Sequence, residues 1–317
     1  MKHKIIYIAG GGHSGSTLLS LIIGSSDNVF SLGEVYYFNS FNKPENDPDL
    51  FSIYENRCTC GKIFTECKFW NKVNNKLSKP IIIKRKTAII EFTKIIWNMI
   101  TPFKKIFQFK LGNGDDNFFF NAVESVLAEI KNKGDYLLDS SKDPRRLVRL
   151  KELIGPENIF VIHLVRDGRG FVASYCSKKR PRATVLGLKV RNFFIEGIKW
   201  MAINIITHRY LKKSQFQSIQ ISYDLFCKNP KQYVNVLNEI LNLNIAGHYI
   251  DKINNSVFHN IHGNWMRQKK LKSIKYDNSW KRDLSILKRI FLSALLYPVN
   301  KRFVYRDSIS QLQEEME

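Results

Sequence analysis

Ile5-Ile6-Tyr7-Ile8-Ala9-Gly10-Gly11-Gly12-His13-Ser14-Gly15-Ser16-Thr17-Leu18-Leu19-Ser20-Leu21-Ile22-Ile23-Gly24 reads as strand, glycine loop and helix. Ile5 to Ala9 is a short apolar run rich in β-branched residues, the pattern of a strand buried on both faces of a parallel sheet. Gly10, Gly11 and Gly12 allow a sharp turn. Leu18, Leu19, Leu21, Ile22 and Ile23 continue as an apolar helix. Between turn and helix, Ser14-Gly15-Ser16-Thr17 puts backbone N–H groups and hydroxyls at the helix N-terminus, where unpaired donors and the positive end of the helix dipole attract an anion. The loop departs from the nucleotide-triphosphatase pattern G-x-x-x-x-G-K-[ST]. Gly10 and Gly15 have its spacing, but Ser16 stands where the lysine would neutralise a triphosphate.

The rest of the chain repeats the alternation. Val29-Phe30-Ser31-Leu32-Gly33-Glu34 predicts a second strand with a carboxylate at its end. Tyr136 to Asp139 predicts a third, running into Ser140-Ser141-Lys142-Asp143-Pro144. A cationic helix with Arg145, Arg146 and Arg149 follows, and Lys142 and Arg145 also suit a solvated helix face. Asn158 to Val165 predicts a fourth strand, ending at Arg166-Asp167-Gly168-Arg169-Gly170 and a helix carrying Ser174. His163, inside that strand, reads as a paired core histidine. Ser218 to Ser222 predicts a fifth strand, followed by Tyr223-Asp224 and a helix from Lys231 to Leu243. Strands alternating with helices predict an α/β fold, a mostly parallel central sheet flanked by helices. Ligands of such sheets bind outside the carboxyl ends of the strands. That rule gathers His13, Ser14–Thr17, Glu34, Lys142, Arg166 and Ser174 toward one place.

The 317 residues suffice for one large domain, and 44% hydrophobic and 13% aromatic residues exclude wholesale disorder. A formal charge of +22 favours anionic partners, although the Lys-, Asn- and Ile-rich composition also reads as compositional bias. The single domain is expected to span 1–317, with a helical insertion or lid at about 72–131. Within it, residues 84–107 place apolar side chains at helical spacing between lysines. This reads as a core-facing stripe, or as a basic amphipathic helix making peripheral membrane contact. With no signal peptide and no membrane-length apolar run, the chain reads as cytoplasmic. Cys58, Cys60 and Cys67 lie within ten residues of one another, followed by Trp70. A structural zinc site needs four ligands and no neighbouring His completes this set, so the stretch reads first as thiols packed under Trp70.

Together these motifs resemble the sulfotransferases that use 3′-phosphoadenosine 5′-phosphosulfate (PAPS). Gly12-His13-Ser14-Gly15-Ser16-Thr17-Leu18-Leu19 is similar to that family's 5′-phosphosulfate loop. Val165-Arg166-Asp167-Gly168-Arg169 through Ser174 is similar to its 3′-phosphate motif, in which the first Arg and the Ser hold the phosphate. Ile221-Ser222-Tyr223-Asp224-Leu225 through Asn229-Pro230 resembles the segment that places an aromatic ring, here Tyr223, against the adenine. His262-Gly263-Asn264-Trp265-Met266-Arg267 and Trp280 resemble the cofactor-closing loop of bacterial members, as does the Cys58–Trp70 stretch its counterpart. The resemblance implies the P-loop-NTPase-like sulfotransferase fold and PAPS as co-substrate. It places Gly12, His13, Ser14, Gly15, Ser16, Thr17, Arg166, Ser174, Tyr223, Gly263, Asn264 and Arg267 around the nucleotide.

Glu34 and Lys142 stand where the tyrosylprotein branch of that family has its general base and a lysine that neutralises the transferring group. His13 departs from the pattern, standing where the family usually has Lys or Arg. An ordinary imidazole loses its charge above about pH 6.5. The implied reaction is in-line sulfuryl transfer to a hydroxyl-bearing acceptor of unknown class, with Glu34 as base, Lys142 and His13 as cations, and no metal. A nucleotide kinase, a nucleic-acid-binding protein using the positive charge, and a non-catalytic PAPS-binding relative are the alternatives. No stacking or groove-reading motif supports specific nucleic-acid binding.

Overall fold

The computed structural model describes residues 2–38, 57–77, 115–130, 134–177 and 192–309. The proposed amphipathic helix 84–107, and with it most of the insertion, lies outside them.

Five strands form one parallel sheet: β1 (Lys4–Gly10), β2 (Val29–Gly33), β3 (Tyr136–Lys142), β4 (Ile159–Val165) and β5 (Gln217–Ser222), in the order β2-β3-β1-β4-β5. All five stand where the alternation predicts them. Ile5, Ile6, Tyr7, Ile8 and Ala9 have no exposed surface, as expected of a central strand covered on both faces. Their side chains alternate between two cores.

Ile5, Tyr7 and Ala9 join the core made with α2 (Lys68–Lys76), α3 (Asp115–Glu129) and α4 (Pro144–Ile154). Ile6 and Ile8 join the core made with α1 (Ser16–Ile23), α7 (Tyr223–Lys228), α8 (Pro230–Leu241) and α9 (Tyr249–Asn255). A third apolar cluster packs α5 (Gly168–Tyr175) and α6 (Phe193–Lys213) against α10 (Trp280–Asp283) and α11 (Ile286–Phe303). Among the described residues, no helix is long and apolar enough to cross a membrane.

The strand order decides where a ligand goes. From β1 the chain crosses over β3 to reach β2 at one edge, whereas from β4 it moves to β5 at the other. The neighbouring strands β1 and β4 therefore send their connections in opposite directions, which opens a crevice at their carboxyl ends. Gly10 pairs with Leu164, so the glycine loop and the Arg166 turn leave the sheet side by side.

Candidate active site

α1 begins without a side-chain cap and has no acidic residue in its first turn, so its N-terminal N–H groups face the crevice uncompensated by protein charge. Gly15, its N-cap, has φ +91°, and a Cβ there would lie 2.0 Å from the Tyr223 ring. Only glycine lets the aromatic ring close on the loop. His13 also has positive φ (+58°), a costly conformation for a residue with a side chain, and its ring meets Tyr175 edge-on at 4.5 Å. Ser14 is buried, and its Oγ has no hydrogen-bond partner. An orphaned buried hydroxyl beside bare helix N–H groups is a site suited to an anion.

Arg166 reaches this loop directly. Its Nη1 donates to His13 O at 3.3 Å, and its guanidinium lies 5.6 Å from the Tyr223 ring centroid. On the solvent side, Nη2 pairs with Asp277 Oδ2 at 2.8 Å. Burial works against the charged form of Asp277, but hydrogen bonds from Ser279 and the Arg166 charge hold its carboxyl below the ordinary carboxylate value. A Cβ at Gly170 would sit 3.0 Å from Arg166 Nε. Ser174 follows one turn later on the same face of α5, half-buried.

The Arg166 turn is tightly held. Trp200 Nε1 donates to Arg166 O (3.1 Å), Asp167 N donates to Asp224 (2.8 Å), and Gly168 N donates to Asn300 (3.0 Å). Arg169 binds Asp167 and lies 4.2 Å from the Trp280 ring centroid, which makes it a support of the turn. Burial raises the Asp224 carboxyl to about 6.

On the other side of the loop, Glu34 and Lys142 form an ion pair, both largely buried. Lys142 has φ +71°. Its turn is fixed by Asp139, which accepts from Ser141 N (2.9 Å), from Ser141 Oγ, and from Arg146 Nε (2.6 Å). Ser141 Oγ in turn accepts from Tyr36 N (2.9 Å), two residues beyond Glu34. One buried carboxylate thus sets both members of the Glu34–Lys142 pair. The sequence offers Arg146 as part of a cationic helix face. The fold buries it to 2% exposure against Asp139, with Tyr36 and Phe120 rings beside it. Arg145 is the exposed partner of Asp143.

The predicted closing loop lies over the same end of the sheet. Ile261 bridges Gly33 in parallel, and Glu34 N donates to Ile261 O at 2.8 Å. Asn264 N donates to Thr17 Oγ1 at 3.0 Å. At Gly263, φ is +90°, and a Cβ would lie 3.0 Å from Thr17 Oγ1 and 3.2 Å from Glu34 Oε1. A side chain at this position would therefore crowd both the glycine loop and the candidate base. Arg267 is buried and binds carbonyls, donating to His262 O at 2.5 Å and Arg57 O at 2.9 Å. Those bonds anchor the loop.

His163 is a core histidine, hydrogen-bonded through Nε2 to Asn204 Oδ1 at 3.2 Å, and burial lowers it to about 4. The cysteine stretch differs from the sequence expectation in one respect. His259, far along the chain, supplies the nitrogen that the local sequence lacks.

No protein-family model and no curated protein matches the chain. Solved structures similar to it include three sulfotransferases. The sulfotransferase domain from the curacin biosynthetic pathway has 14% identity and a TM-score of 0.48, covering 94% of this chain and 98% of that one. Sulfotransferase STF9 from Mycobacterium avium has 11% identity and a TM-score of 0.48, covering 96% and 77%. The sulfotransferase domain from the Synechococcus PCC 7002 olefin synthase has 14% identity and a TM-score of 0.44, covering 94% and 96%.

Proposed function

We propose that the protein transfers a sulfuryl group from PAPS to an acceptor hydroxyl. The observation that carries this reading is the 3.3 Å contact from Arg166 Nη1 to His13 O, which makes the arginine turn and the glycine loop two walls of one crevice. Two anion-binding elements that close together suit a nucleoside phosphorylated at both its 3′ and 5′ positions. Ser14, Ser16, Thr17 and the loop N–H groups, with Gly12 and Gly15 giving close backbone approach, would hold the 5′ end. Arg166 and Ser174 would hold the 3′-phosphate, which a guanidinium grips bidentately. Tyr223 would flank the base, with Gly263 and Asn264 covering the loop. Arg267 enters this reading only as an anchor of the covering loop.

In the reaction, the acceptor oxygen forms a bond to sulfur as the bond from sulfur to the 5′-phosphate oxygen breaks. Glu34 takes the hydroxyl proton. Lys142, His13 and the N–H groups of α1 stabilise the charge on the transferring group and the departing phosphate. Such transfers are dominated by positioning and charge neutralisation. The protein's cations and dipoles supply both without a step through a metal.

Nucleotide-dependent thermal stabilisation tests the reading, followed by transfer from radiolabelled PAPS to a panel of sugar, lipid, polyketide and peptide hydroxyls. Stabilisation by adenosine 3′,5′-bisphosphate but not by adenosine 5′-monophosphate is expected. Phosphoryl transfer from ATP without any response to PAPS would replace this reading with a kinase. PAPS binding with no turnover on any acceptor would favour the non-catalytic relative.

A further inference from the structure

The thiols of Cys58, Cys60 and Cys67 and a ring nitrogen of His259 all lie within 4.8 Å of one another, Cys58 and Cys67 buried and the other two half-buried. The two ends of this cluster are 201 residues apart in sequence. We propose that these four residues bind a structural zinc ion, which clips the cysteine loop to the C-terminal loop over the candidate active site.

The distances have the right scale. A tetrahedron with zinc–sulfur bonds of about 2.3 Å and zinc–nitrogen bonds of about 2.0 Å has sulfur–nitrogen edges of about 3.5 Å. His259 Nδ1 lies 3.6 Å from Cys58 Sγ and 3.4 Å from Cys67 Sγ. Three sulfurs and one imidazole nitrogen form a standard structural zinc set, closed to substrate.

The surroundings orient each ligand. Gly61 N donates to Cys58 O (2.9 Å) and Cys58 N donates to Lys62 O (2.9 Å), a tight turn that puts Cys58 and Cys60 on one side. Cys67 is the N-cap of α2 and donates its N–H to Ile63 O at 2.9 Å. The His259 ring stacks on Phe69, with centroids 5.3 Å apart and planes 19° apart. Trp70 Nε1 donates to His259 O at 2.6 Å. An outer shell that fixes the ring and backbone of a histidine ligand is the usual companion of a metal site.

The clip also has a clear beneficiary. Thr59 N and Oγ1 both donate to Asn260 O at 3.1 Å, and Gln268 Nε2 donates to Cys58 O at 2.8 Å. The residues fastened in this way, 259–268, include Gly263 and Asn264, which lie against Thr17 and Glu34. Zinc binding to the reduced protein releases the three thiol protons, with the imidazole a neutral ligand.

The test uses the full chain without a metal-affinity tag, purified without chelator, with metal measured by inductively coupled plasma mass spectrometry. One zinc per chain is expected. Cys60→Ser, at the half-exposed position, and His259→Ala should each reduce it to less than a fifth, while Cys176→Ser and Cys227→Ser leave it at one. Cobalt replacement in the wild-type chain should give thiolate charge-transfer bands and the intense ligand-field bands of a tetrahedral ion, which reads the ligand set even if a variant fails to fold. Zinc at less than half an equivalent, a disulfide among the three cysteines, or octahedral cobalt spectra would overturn the proposal. These readouts do not depend on PAPS or on turnover, so they stand apart from the proposed reaction.

Discussion

Lys142 and Glu34 are ion-paired across the ends of two adjacent strands, β3 and β2. The pair brings a proton acceptor and a fixed cation to one point beside the anion loop. Glu34→Gln keeps the shape of the side chain and removes the proton acceptor. Turnover is expected to fall by about 10²–10⁴-fold, the usual contribution of a positioned general base, while bisphosphate stabilisation persists. A Glu34→Gln enzyme with the wild-type rate would remove this residue from the role of base.

Arg166 and Asp277 predict opposite changes in affinity. Losing charge-assisted hydrogen bonds to a phosphate, Arg166→Ala should weaken adenosine 3′,5′-bisphosphate binding by roughly 10–100-fold. Asp277, half-exposed, pairs with the same guanidinium and would compete with a bound 3′-phosphate for it. Asp277→Asn should tighten binding by about threefold, the scale of a partly solvated ion pair. Isothermal titration calorimetry distinguishes the two; weaker binding in Asp277→Asn would show that the carboxylate orients Arg166 rather than occupying it.

Buried Arg146 and Asp139 form a pair with almost no exposed surface. Removing one partner leaves the other charge stranded, so Arg146→Met should destabilise the protein by about 3–5 kcal/mol in urea unfolding. Asp139 also orders the turns bearing Lys142 and Glu34. The charge-neutral replacement Asp139→Asn with Arg146→Met should recover part of the stability. A single Arg146→Met chain as stable as wild type would remove this pair from the framework of the site.

His163 and Asp224 give stability a pH dependence. Burial lowers His163 to about 4 in the fold, whereas the unfolded chain takes up its proton near its ordinary value. Its contribution is therefore full above pH 6.5 and is lost as pH falls toward 4, by up to about 3 kcal/mol. Asp224, raised by burial to about 6, works the other way: its protonated form favours the fold at low pH, and that benefit disappears as pH rises through 6. His163→Gln should flatten the acid-side loss in chemical unfolding measured from pH 7 to pH 4. An unchanged profile in that variant would assign the loss to other groups.

The five strands and the crevice were legible because their signals are local. β1 to β4 carry short apolar runs, and a candidate site residue follows the last apolar one within four positions: His13, Glu34, Lys142 and Arg166. Adjacency of β1 and β4 then brings His13 and Arg166 together without any further information. Other features depend on contacts between residues distant in sequence. Arg146 looks like one of several helix-surface cations until Asp139, seven positions earlier, is found inside with it. His259 carries no local mark of its partnership with cysteines some 200 residues before it. Asp277 sits in a featureless polar stretch, and only the folded chain brings its carboxylate to Arg166. Arg267 lies in a motif that resembles a cofactor loop, but its Nε and Nη2 donate to backbone carbonyls.

The Gly33–Ile261 bridge has a consequence for biosynthesis. The glycine loop, Glu34, Lys142 and Arg166 are all translated well before Ile261 leaves the ribosome. A nascent chain ending before that residue possesses every proposed reacting group, yet nothing spans Thr17 and Glu34. Closure of the proposed site is thus a late step of synthesis, and termination near residue 255 would remove the cover over Thr17 and Glu34 together with Trp280 and Asn300, which hold the Arg166 turn.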